Sequence, residues 1–580
     1  MDRRQVAGMF EEIAAMLELK GDNPFKVRAY ENGARAILGY PKDLADAIRT
    51  GEIRGVTGIG AGLFSNLEVL LRTGSLPFYD ELRAAFPPGL RECLRIPGFG
   101  ARKAKLVHDA LGVDSLDALE QACRDGRIAS IKGFGPKSVD RLLRGIATVR
   151  AGAGLHKYSR ARARAEEILR ALAAEPTVRR VEIAGGLRRR CEVVRGAHFV
   201  AETGRPEVLA AAFPALPGVA EALAPEDGRS RVRLADGLTA TLRTASGLEF
   251  AAAYLDATGS ASHRDGLRAR AVERGLLLAP DGLFRNGSSR RLPCPTEERI
   301  YEALDLAFVE PELREGRGEI EAAAAREIPV LVRREDLQGL IHVHTTESDG
   351  RDSLGDMLGA VRDAGYRWVA ITDHSQTAGY AGGLTPERVL KQRSEIRAIR
   401  PRFPELRIFH GTEADILSDG AVDFGDEFLE GFDVVVASVH SRFGLSKEEQ
   451  TRRLLRAVRN PRVSVLGHPT GRLLLSRDPI DVDIESVLDA AAESGCAVEI
   501  NCSPDRLDLD WRLCREAVAR GILLAIDPDA HSVGEIGLVP YGVGIARKGW
   551  VTAEATLNAR SAEQMEDWLT RRRGAPLPQV

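Results

Sequence analysis

Histidines and carboxylates in the last third of this sequence recur at similar points of a repeating pattern. The chain has 11 His, and seven of them follow residue 340. Six of those seven end or follow a short β-rich run, with carboxylates in comparable places. The nine candidate ligands are His342, His344, Asp349, His374, Glu413, His440, His468, Asp529 and His531. Neutral imidazoles with carboxylates suit Zn, Mn or Fe better than Ca or Mg alone. Because nine ligands are too many for one ion, we expect two or three divalent ions, with Mn or Zn favoured.

The segments that must position these side chains alternate between strand and helix patterns. The β-rich runs cover residues 340–344, 368–372, 407–411, 434–439, 463–466, 497–501 and 523–526, with amphipathic helical stretches between them. Seven strands alternating with helices predict a parallel sheet closed into a barrel, in which chemistry sits at the C-terminal ends of the strands. Since residues i and i+2 of a strand share a face, His342 and His344 can bind one ion.

A glycine motif occurs three times in the first 150 residues. Each copy follows an apolar residue and opens a helical pattern, and the copies are Gly58-Ile59-Gly60, Gly98-Phe99-Gly100 and Gly133-Phe134-Gly135. Two glycines allow a tight turn, and the next helix offers free N–H groups to a phosphate. The three basic residues called the hairpin lysines below are Lys103, Lys105 and Lys137. The pattern predicts helix-hairpin-helix units that grip a DNA backbone without reading its sequence.

Charge is divided unevenly along the chain. The net charge of −3 is the sum of +10 over residues 1–190 and −13 over the remainder. A basic front and an acidic back suggest a DNA-binding part joined to a part that collects cations, although ordinary solvated surface explains the charge equally well. The sequence has no run of 18 apolar residues, so it predicts no membrane-spanning helix. Seven cysteines without a CxxC pair argue against a disulfide framework or a zinc ribbon and favour a reducing cytosol.

The histidine-bearing segments resemble the PHP (polymerase and histidinol phosphatase) domain over about 240 residues. The matching stretches are His-Val-His-Thr-Thr-Glu-Ser-Asp-Gly (342–350), Ile-Thr-Asp-His-Ser (371–375), Gly-Thr-Glu-Ala-Asp-Ile-Leu (411–417), Ser-Val-His (438–440), Gly-His-Pro-Thr-Gly-Arg (467–472), Glu-Ile-Asn (499–501) and Asp-Ala-His (529–531). The resemblance implies a trinuclear site that fills all nine positions. One ion would take His342, His344, Glu413 and Asp529, a second Glu413, His440 and His468, and a third Asp349, His374 and His531. It also implies phosphoester hydrolysis by a metal-activated water, with no protein nucleophile assigned.

The order of parts resembles the bacterial family X DNA polymerases of the PolX type over essentially the full length. Supporting segments include Ala184-Gly185-Gly186-Leu187-Arg188-Arg189 and Thr258-Gly259-Ser260. The resemblance implies a multidomain α/β protein. Its parts are a helix-hairpin-helix domain at 1–150, a nucleotidyltransferase-like α+β palm at 151–245, a thumb at 246–318, a charged, alanine-rich linker at 319–335, and a PHP-type distorted (β/α)7 barrel at 336–575.

The polymerase site departs from the family pattern. Where the family has an Asp-x-Asp pair and a third Asp on a later strand, this sequence has Gly196, His198 and Thr241. Two-metal nucleotidyl transfer needs carboxylates, so the sequence predicts a polymerase domain without that activity. Arg188 and Arg189 remain, and we expect them to contact DNA phosphates.

These observations favour a DNA-repair protein that holds DNA and hydrolyses it as a 3′-5′ exonuclease or repair phosphodiesterase. The expected partner is DNA with gaps, single strands or 3′ ends; no membrane is expected, and no protein partner is indicated. The expected location is the cytoplasm, at the nucleoid. The alternatives are an active template-directed DNA polymerase with exonuclease activity, a small-molecule phosphatase resembling histidinol phosphatase, and a binding protein with structural metals.

Overall fold

The structure, a computed structural model, describes residues 3–40 and 44–574. Residues 1 and 575, at which two predicted domains begin and end, lie outside the described residues. The chain forms two compact units. One unit holds the residues up to 153 with the short segments 475–478 and 532–534, and the other holds the rest.

The first unit is helical, as the glycine motifs predict. Its α-helices are α1 (Arg3–Lys20), α2 (Pro24–Gly39), α3 (Leu44–Thr50), α4 (Ala61–Thr73), α5 (Pro77–Ala84), α6 (Pro88–Cys93), α7 (Ala101–Leu111), α8 (Leu116–Arg124) and α9 (Pro136–Ala151). The first glycine of each motif has a positive φ, +100° at Gly58, +73° at Gly98 and +98° at Gly133. The second glycine of each motif is the N-cap of α4, α7 or α9. The turns therefore need glycine, because side chains rarely adopt such φ values.

The second unit begins with the predicted palm, which contains a five-stranded sheet. Its elements are β1 (His156–Lys157), α10 (Tyr158–Ala173), β2 (Val178–Ala184), α11 (Gly185–Arg188), β3 (Val193–Val194), β4 (Gly196–Thr203), α12 (Pro206–Ala212), β5 (Val219–Glu226), β6 (Arg229–Leu234) and β7 (Thr239–Ala245). The strand order is β2-β4-β7-β6-β5, and β4 and β7 run parallel. The apolar stripe of α10, which includes Ile168 and Leu172, packs on this sheet.

Helices and a hairpin follow over the predicted thumb and linker. They are α13 (Phe250–Thr258), α14 (Ala261–Glu273), β8 (Leu276–Ala279), β9 (Gly282–Arg285), α15 (Glu297–Ala303) and α16 (Glu319–Ala325). Helix α16 lies inside the predicted linker and packs on α14. There the Glu319 carboxylate is buried and lies 2.7 Å from Nδ1 of His263.

The last part of the chain is a nearly closed, seven-stranded parallel barrel, which confirms the predicted fold class. Its elements are β10 (Gly339–Val343), α17 (Leu354–Asp363), β11 (Trp368–Ile371), α18 (Pro386–Ile399), β12 (Arg407–Asp415), α19 (Asp426–Leu429), β13 (Val434–Ser438), α20 (Lys447–Val458), β14 (Val465–Leu466), α21 (Ile484–Ser494), β15 (Ala497–Asn501), α22 (Trp511–Ala519), β16 (Leu524–Asp527), α23 (Val539–Lys548) and α24 (Ala562–Arg573). The strands follow chain order around the sheet, and a parallel bridge joins Val343 to Ala530. Strands buried on both faces explain why the sequence runs are almost wholly apolar.

Polar contacts join the barrel to the palm and thumb inside the second unit. Trp511 Nε1 donates to Oε2 of Glu192 at 3.1 Å. The ammonium of Lys548, only 1% exposed, donates to the Arg189 carbonyl at 3.1 Å and pairs with Glu315. The barrel and the preceding domains therefore share a buried boundary.

Candidate metal centre

Nine side chains meet at the C-terminal ends of the barrel strands. They form four groups whose ligand atoms lie within 4.8 Å of one another. The groups are His344–Asp349–His374–His531, His342–Glu413–His468, His342–His344–Asp529 and His374–Glu413–His440. All nine predicted ligands are included, which agrees with the expectation that parallel strands bring their C-terminal ends to one edge.

Glu413 lies at the middle of the centre. Its Oε1 atom is 3.2 Å from Nε2 of His342, 3.2 Å from Nε2 of His440 and 3.0 Å from Nε2 of His468. Its Oε2 atom is 2.9 Å from Nδ1 of His374. One carboxylate therefore serves rings from four different strand ends, which is the arrangement expected of a ligand shared between ions.

Two further carboxylates orient the histidine rings, and the sequence analysis assigned them no role. Oε1 of the buried Glu499 lies 2.5 Å from Nδ1 of His342, and its Oε2 accepts the backbone N–H of His468 at 2.5 Å. Asp415 Oδ1 lies 2.6 Å from Nδ1 of His440. Such outer carboxylates fix the tautomer of a metal-binding ring and raise its basicity. The available signal was spacing, because Asp415 is two residues from Glu413 on β12 and so shares its face.

The charge state of the histidines differs within the centre. Burial lowers the pKa of His344 and of His468 to about 3. Burial also acts against the charged forms of His440 and His531, but Glu413 with Asp415 raises the pKa of His440 to about 10, and Asp349 with Asp529 raises that of His531 to about 9. Burial is likewise outweighed at His342, whose pKa Asp529, Glu499 and Glu413 raise well above its usual value. Two of these five rings thus offer free lone pairs at neutral pH, and three must release a proton before they bind an ion.

The backbone is strained at three of the predicted ligands. The φ angles are +59° at His342, +25° at His468 and +52° at Asp529, in the region that non-glycine residues rarely enter. Strain of this kind costs on the order of 1–3 kcal/mol per residue and clusters at functional sites. The barrel fold therefore holds these side chains in position at a local cost in backbone conformational free energy.

Buried ring nitrogens support the fit of a metal to this donor set. Nε2 of His342, both ring nitrogens of His344 and Nδ1 of His374 and His468 are buried and make no hydrogen bond of regular geometry in the described residues, although carboxylate oxygens of Glu413 and Asp529 lie close to several of them. A buried polar atom without a partner costs free energy, and a bound cation removes that cost. Of the seven histidines after residue 340, His410 is apart from the four groups, because its ring lies 3.2 Å from the side-chain oxygen of Gln392 and packs against Phe432.

The hairpin lysines lie on the first helical unit with different surroundings. Lys103 is exposed and donates to the Gly98 carbonyl at 2.8 Å. Lys105 is 3.1 Å from Asp109, and Lys137 is exposed. The lysines of the second and third hairpins therefore follow their turns by a few residues, as the sequence spacing required.

Arg188 and Arg189 are engaged inside the second unit. Arg188 pairs with Glu297 through both terminal nitrogens, donates to Thr258 Oγ1 at 2.9 Å and stacks on Tyr254. Arg189 Nε donates to Glu315 at 2.8 Å. The DNA contact predicted for Arg188 meets a physical obstacle, because carboxylate and hydroxyl partners already hold its guanidinium. Arg189 still lines a cavity of the palm.

The three positions at which the sequence predicts a degenerate polymerase site lie close together on two paired strands. Gly196 and His198 are on β4 and Thr241 is on β7, and His198 is directly opposite Thr241 in the parallel register. Burial and the nearby Arg229 and Arg189 lower the pKa of His198 to about 4. The strand pairing thus brings together Gly196, which has no side chain, the neutral His198 ring and the Thr241 hydroxyl.

No described helix is both long and apolar enough to cross a membrane.

Family models match four parts of the chain. They are a helix-hairpin-helix domain at residues 1–76, a SAM-like helix-hairpin-helix tandem at 90–148, a DNA polymerase beta thumb at 253–315 and a PHP domain at 341–503. These matches confirm the predicted helix-hairpin-helix, thumb and PHP parts.

Curated relatives match either the whole chain or the barrel. A DNA polymerase/3′-5′ exonuclease PolX of Bacillus subtilis is 32% identical over 573 residues, which is 98% of this chain and 100% of the relative. Probable phosphatases of Caldanaerobacter subterraneus subsp. tengcongensis and of Shewanella frigidimarina are each 28% identical over 246 residues. Those matches cover 40% of this chain and 91% and 92% of the relatives.

Proposed function

We propose that this chain, which belongs to the PolX family of bacterial family X DNA polymerases, hydrolyses phosphodiester bonds at DNA 3′ ends with its PHP domain. The observation that carries the proposal is the meeting of nine His, Asp and Glu side chains at one end of the barrel. The full-length relative named DNA polymerase/3′-5′ exonuclease supports the same substrate class.

The donor set suits two or three divalent ions, with Mn or Zn as the expected metals. Bound there, the ions supply Lewis-acid activation of water and neutralise phosphate charge. Glu413 would be the shared ligand, with His342, His344 and Asp529 beside it and the other predicted ligands around them. Glu499 holds the His342 ring through Nδ1, which leaves Nε2 directed at Glu413. Asp415 does the same for His440.

DNA binding belongs mainly to the first helical unit in this proposal. Three hairpins present glycine turns, helix N-termini and the hairpin lysines, which suit sequence-independent contacts to phosphates. A grip of that kind would deliver gapped or single-stranded DNA and its 3′ ends during repair in the cytoplasm, at the nucleoid.

We further propose that the palm does not extend DNA. Gly196, His198 and Thr241 offer no carboxylate to the two cations that nucleotidyl transfer needs. The test is extension of a gapped duplex by a His342→Ala variant, which removes degradation. We expect no templated product with any divalent metal, and clear template-matched extension would show that the palm is active.

A second candidate is hydrolysis of a small phosphate monoester, which the partial matches to probable phosphatases favour. The helix-hairpin-helix unit counts against it, because a monoesterase needs no DNA grip. Turnover of a chromogenic monoester, compared with that of single-stranded DNA by the same preparation, separates the two candidates.

The deciding experiment is a nuclease assay on 3′-labelled single-stranded and gapped DNA with Mn supplied and then chelated. We expect hydrolysis from the 3′ end that chelation stops and that His342→Ala and Asp529→Ala both lose. If both variants keep full activity, the proposed centre is not the site of hydrolysis.

A further inference from the structure

A cavity of the palm, lined by none of the nine candidate metal ligands, is strongly basic. It has a volume of about 480 Å³ between β4, β7 and the start of α14. Five of its lining residues are arginines, and none of the described residues that line it is Asp or Glu. The arginines are Arg189, Arg195, Arg229, Arg243 and Arg264.

Part of this positive charge is not balanced within the protein. Arg189 is paired with Glu315 at 2.8 Å and Arg243 with Asp256 at 3.2 Å. Arg195 and Arg229 have no carboxylate partner anywhere in residues 3–40 and 44–574. Arg264 lies 3.9 Å from the Asp256 carboxylate and donates from Nη1 to the Asp256 carbonyl at 3.4 Å, whereas its buried Nε atom has no hydrogen-bond partner within that same part of the chain. Unpaired arginines around a concave surface, here Arg195 and Arg229, attract anions.

The divalent ions that the polymerase family implies for this place do not fit the residues present. The strand positions hold Gly196, His198 and Thr241, so the cavity offers a single imidazole and no carboxylate. Cations would also face the repulsion of the arginines. Charge that a metal would otherwise bring to a phosphate is supplied here by fixed guanidinium groups, which are well suited to phosphate oxygens.

We propose that this cavity binds phosphate groups of a nucleotide or of a DNA end without a divalent metal. Arg195 and Arg229 contribute unpaired charge, and the N-terminus of the 13-residue helix α14, which begins at Ala261, lines the same cavity, where the positive end of the helix dipole suits an anion. The site is a binding site and not a second catalytic centre, because its lining contains no carboxylate and, as possible metal ligands, only the His198 ring and the Cys191 thiol.

Titration calorimetry on the full chain in EDTA tests the proposal, since EDTA removes ions from the barrel. The probes are inorganic triphosphate, deoxyguanosine triphosphate, and one oligonucleotide with either phosphate or hydroxyl at its 5′ and 3′ ends. We expect Arg229→Gln to weaken binding of at least one phosphate probe about tenfold or more, the effect of losing a charged hydrogen bond. Arg195→Gln, at an exposed and unpaired position, provides a second variant that leaves the fold undisturbed.

Arg233→Gln is the matched control, because Arg233 is on the same strand as Arg229 but pairs with Glu221 at 2.9 Å and does not line the cavity. We expect it to change affinity by no more than about twofold. Preference for free triphosphates assigns the cavity to nucleotides. If a terminal phosphate raises the affinity for the oligonucleotide and Arg229→Gln abolishes that increase, the cavity is assigned to DNA ends. The proposal is overturned if no probe binds in EDTA, if binding appears only with added Mg or Mn, or if Arg229→Gln and Arg195→Gln bind as the unchanged protein does.

Discussion

Glu499 provides the sharpest test of how the barrel prepares its metal centre. The carboxylate accepts at both oxygens, from the His342 ring at 2.5 Å and from the His468 backbone N–H at 2.5 Å. Glu499→Gln keeps the volume but leaves one acceptor instead of two. In either orientation of the new amide, its NH2 group faces one of the two donors, the His342 ring N–H or the His468 backbone N–H. The His342 ring can accept from that group only by moving its proton to Nε2, the nitrogen that lies 3.2 Å from Glu413.

The expected cost follows from this geometry. A buried donor left without an acceptor costs about 1–3 kcal/mol. Loss of an outer carboxylate lowers metal affinity about 10–100-fold, which corresponds to about 1.4–2.7 kcal/mol. Asp415→Asn is the matched control, because the same change of carboxylate to amide leaves an oxygen that still accepts from His440 Nδ1. We expect Asp415→Asn to weaken metal binding less than tenfold.

The assay is competition for Mn between the metal-free protein and a chromophoric chelator at fixed pH, with urea unfolding in EDTA to measure the effect on folding alone. Weaker binding by Glu499→Gln than by Asp415→Asn supports the argument. Equal affinities of Glu499→Gln and the unchanged protein, or an equal loss in both variants, would refute it.

Three further predictions concern the barrel, the hairpins and the palm. His342→Ala and Asp529→Ala each lower Mn-dependent hydrolysis of DNA 3′ ends more than about 100-fold, whereas His410→Gln, outside the ligand groups, keeps most of it; equal losses in all three would contradict the assignment. Neutralising the hairpin lysines flattens the log–log salt dependence of DNA binding by about one unit per lost contact, alike on unrelated sequences; a loss on one sequence alone would contradict this. The His198 ring, with its pKa lowered to about 4, stays neutral in the folded chain as the pH falls from 6.5. Because the same ring takes up a proton in the unfolded chain over this range, its contribution to the unfolding free energy falls by up to about 3 kcal/mol by pH 4. A ring titration by NMR with a midpoint near 6.5 would show this to be wrong.

The barrel and its nine candidate ligands could be predicted because their signal is local. Each ligand lies near the C-terminal end of an apolar strand or in the segment that follows it, and parallel strands place all their C-terminal ends at one edge. Glu499 could not be assigned in the same way, since its role depends on which atoms of His342 and His468 it meets across the sheet. Arg188 is a second case of a partner that the sequence did not reveal, because its position in the Gly-Gly-Leu-Arg-Arg turn gave no sign of Glu297, 109 residues later, which binds it.

Long-range pairing also explains the predicted linker. Its charged, alanine-rich composition indicated a connector, but the structure places a helix there, with Glu319 buried against His263. Composition alone indicates solvated surface for a charged residue in such a segment, because the sequence does not show which residue it pairs with when buried. The palm cavity is a further case, because its five arginines come from β6, β7, α14 and two separate turns that the sequence does not bring together.

The boundary around Lys548 and Trp511 bears on the evolutionary history of this architecture. PHP barrels occur as proteins of their own, since the chain matches 91% of a probable phosphatase over only 40% of its own length. Here, however, Lys548 is 1% exposed and both of its partners, the Arg189 carbonyl and Glu315, belong to the preceding domains, as does Glu192, the partner of Trp511. A barrel cut from this chain would lose the acceptors of an ammonium and an indole at once. Once such partners are shared, a substitution on one side of the boundary is constrained by the other side, so separation of the barrel from the palm and thumb becomes difficult even if the palm performs no polymerase chemistry.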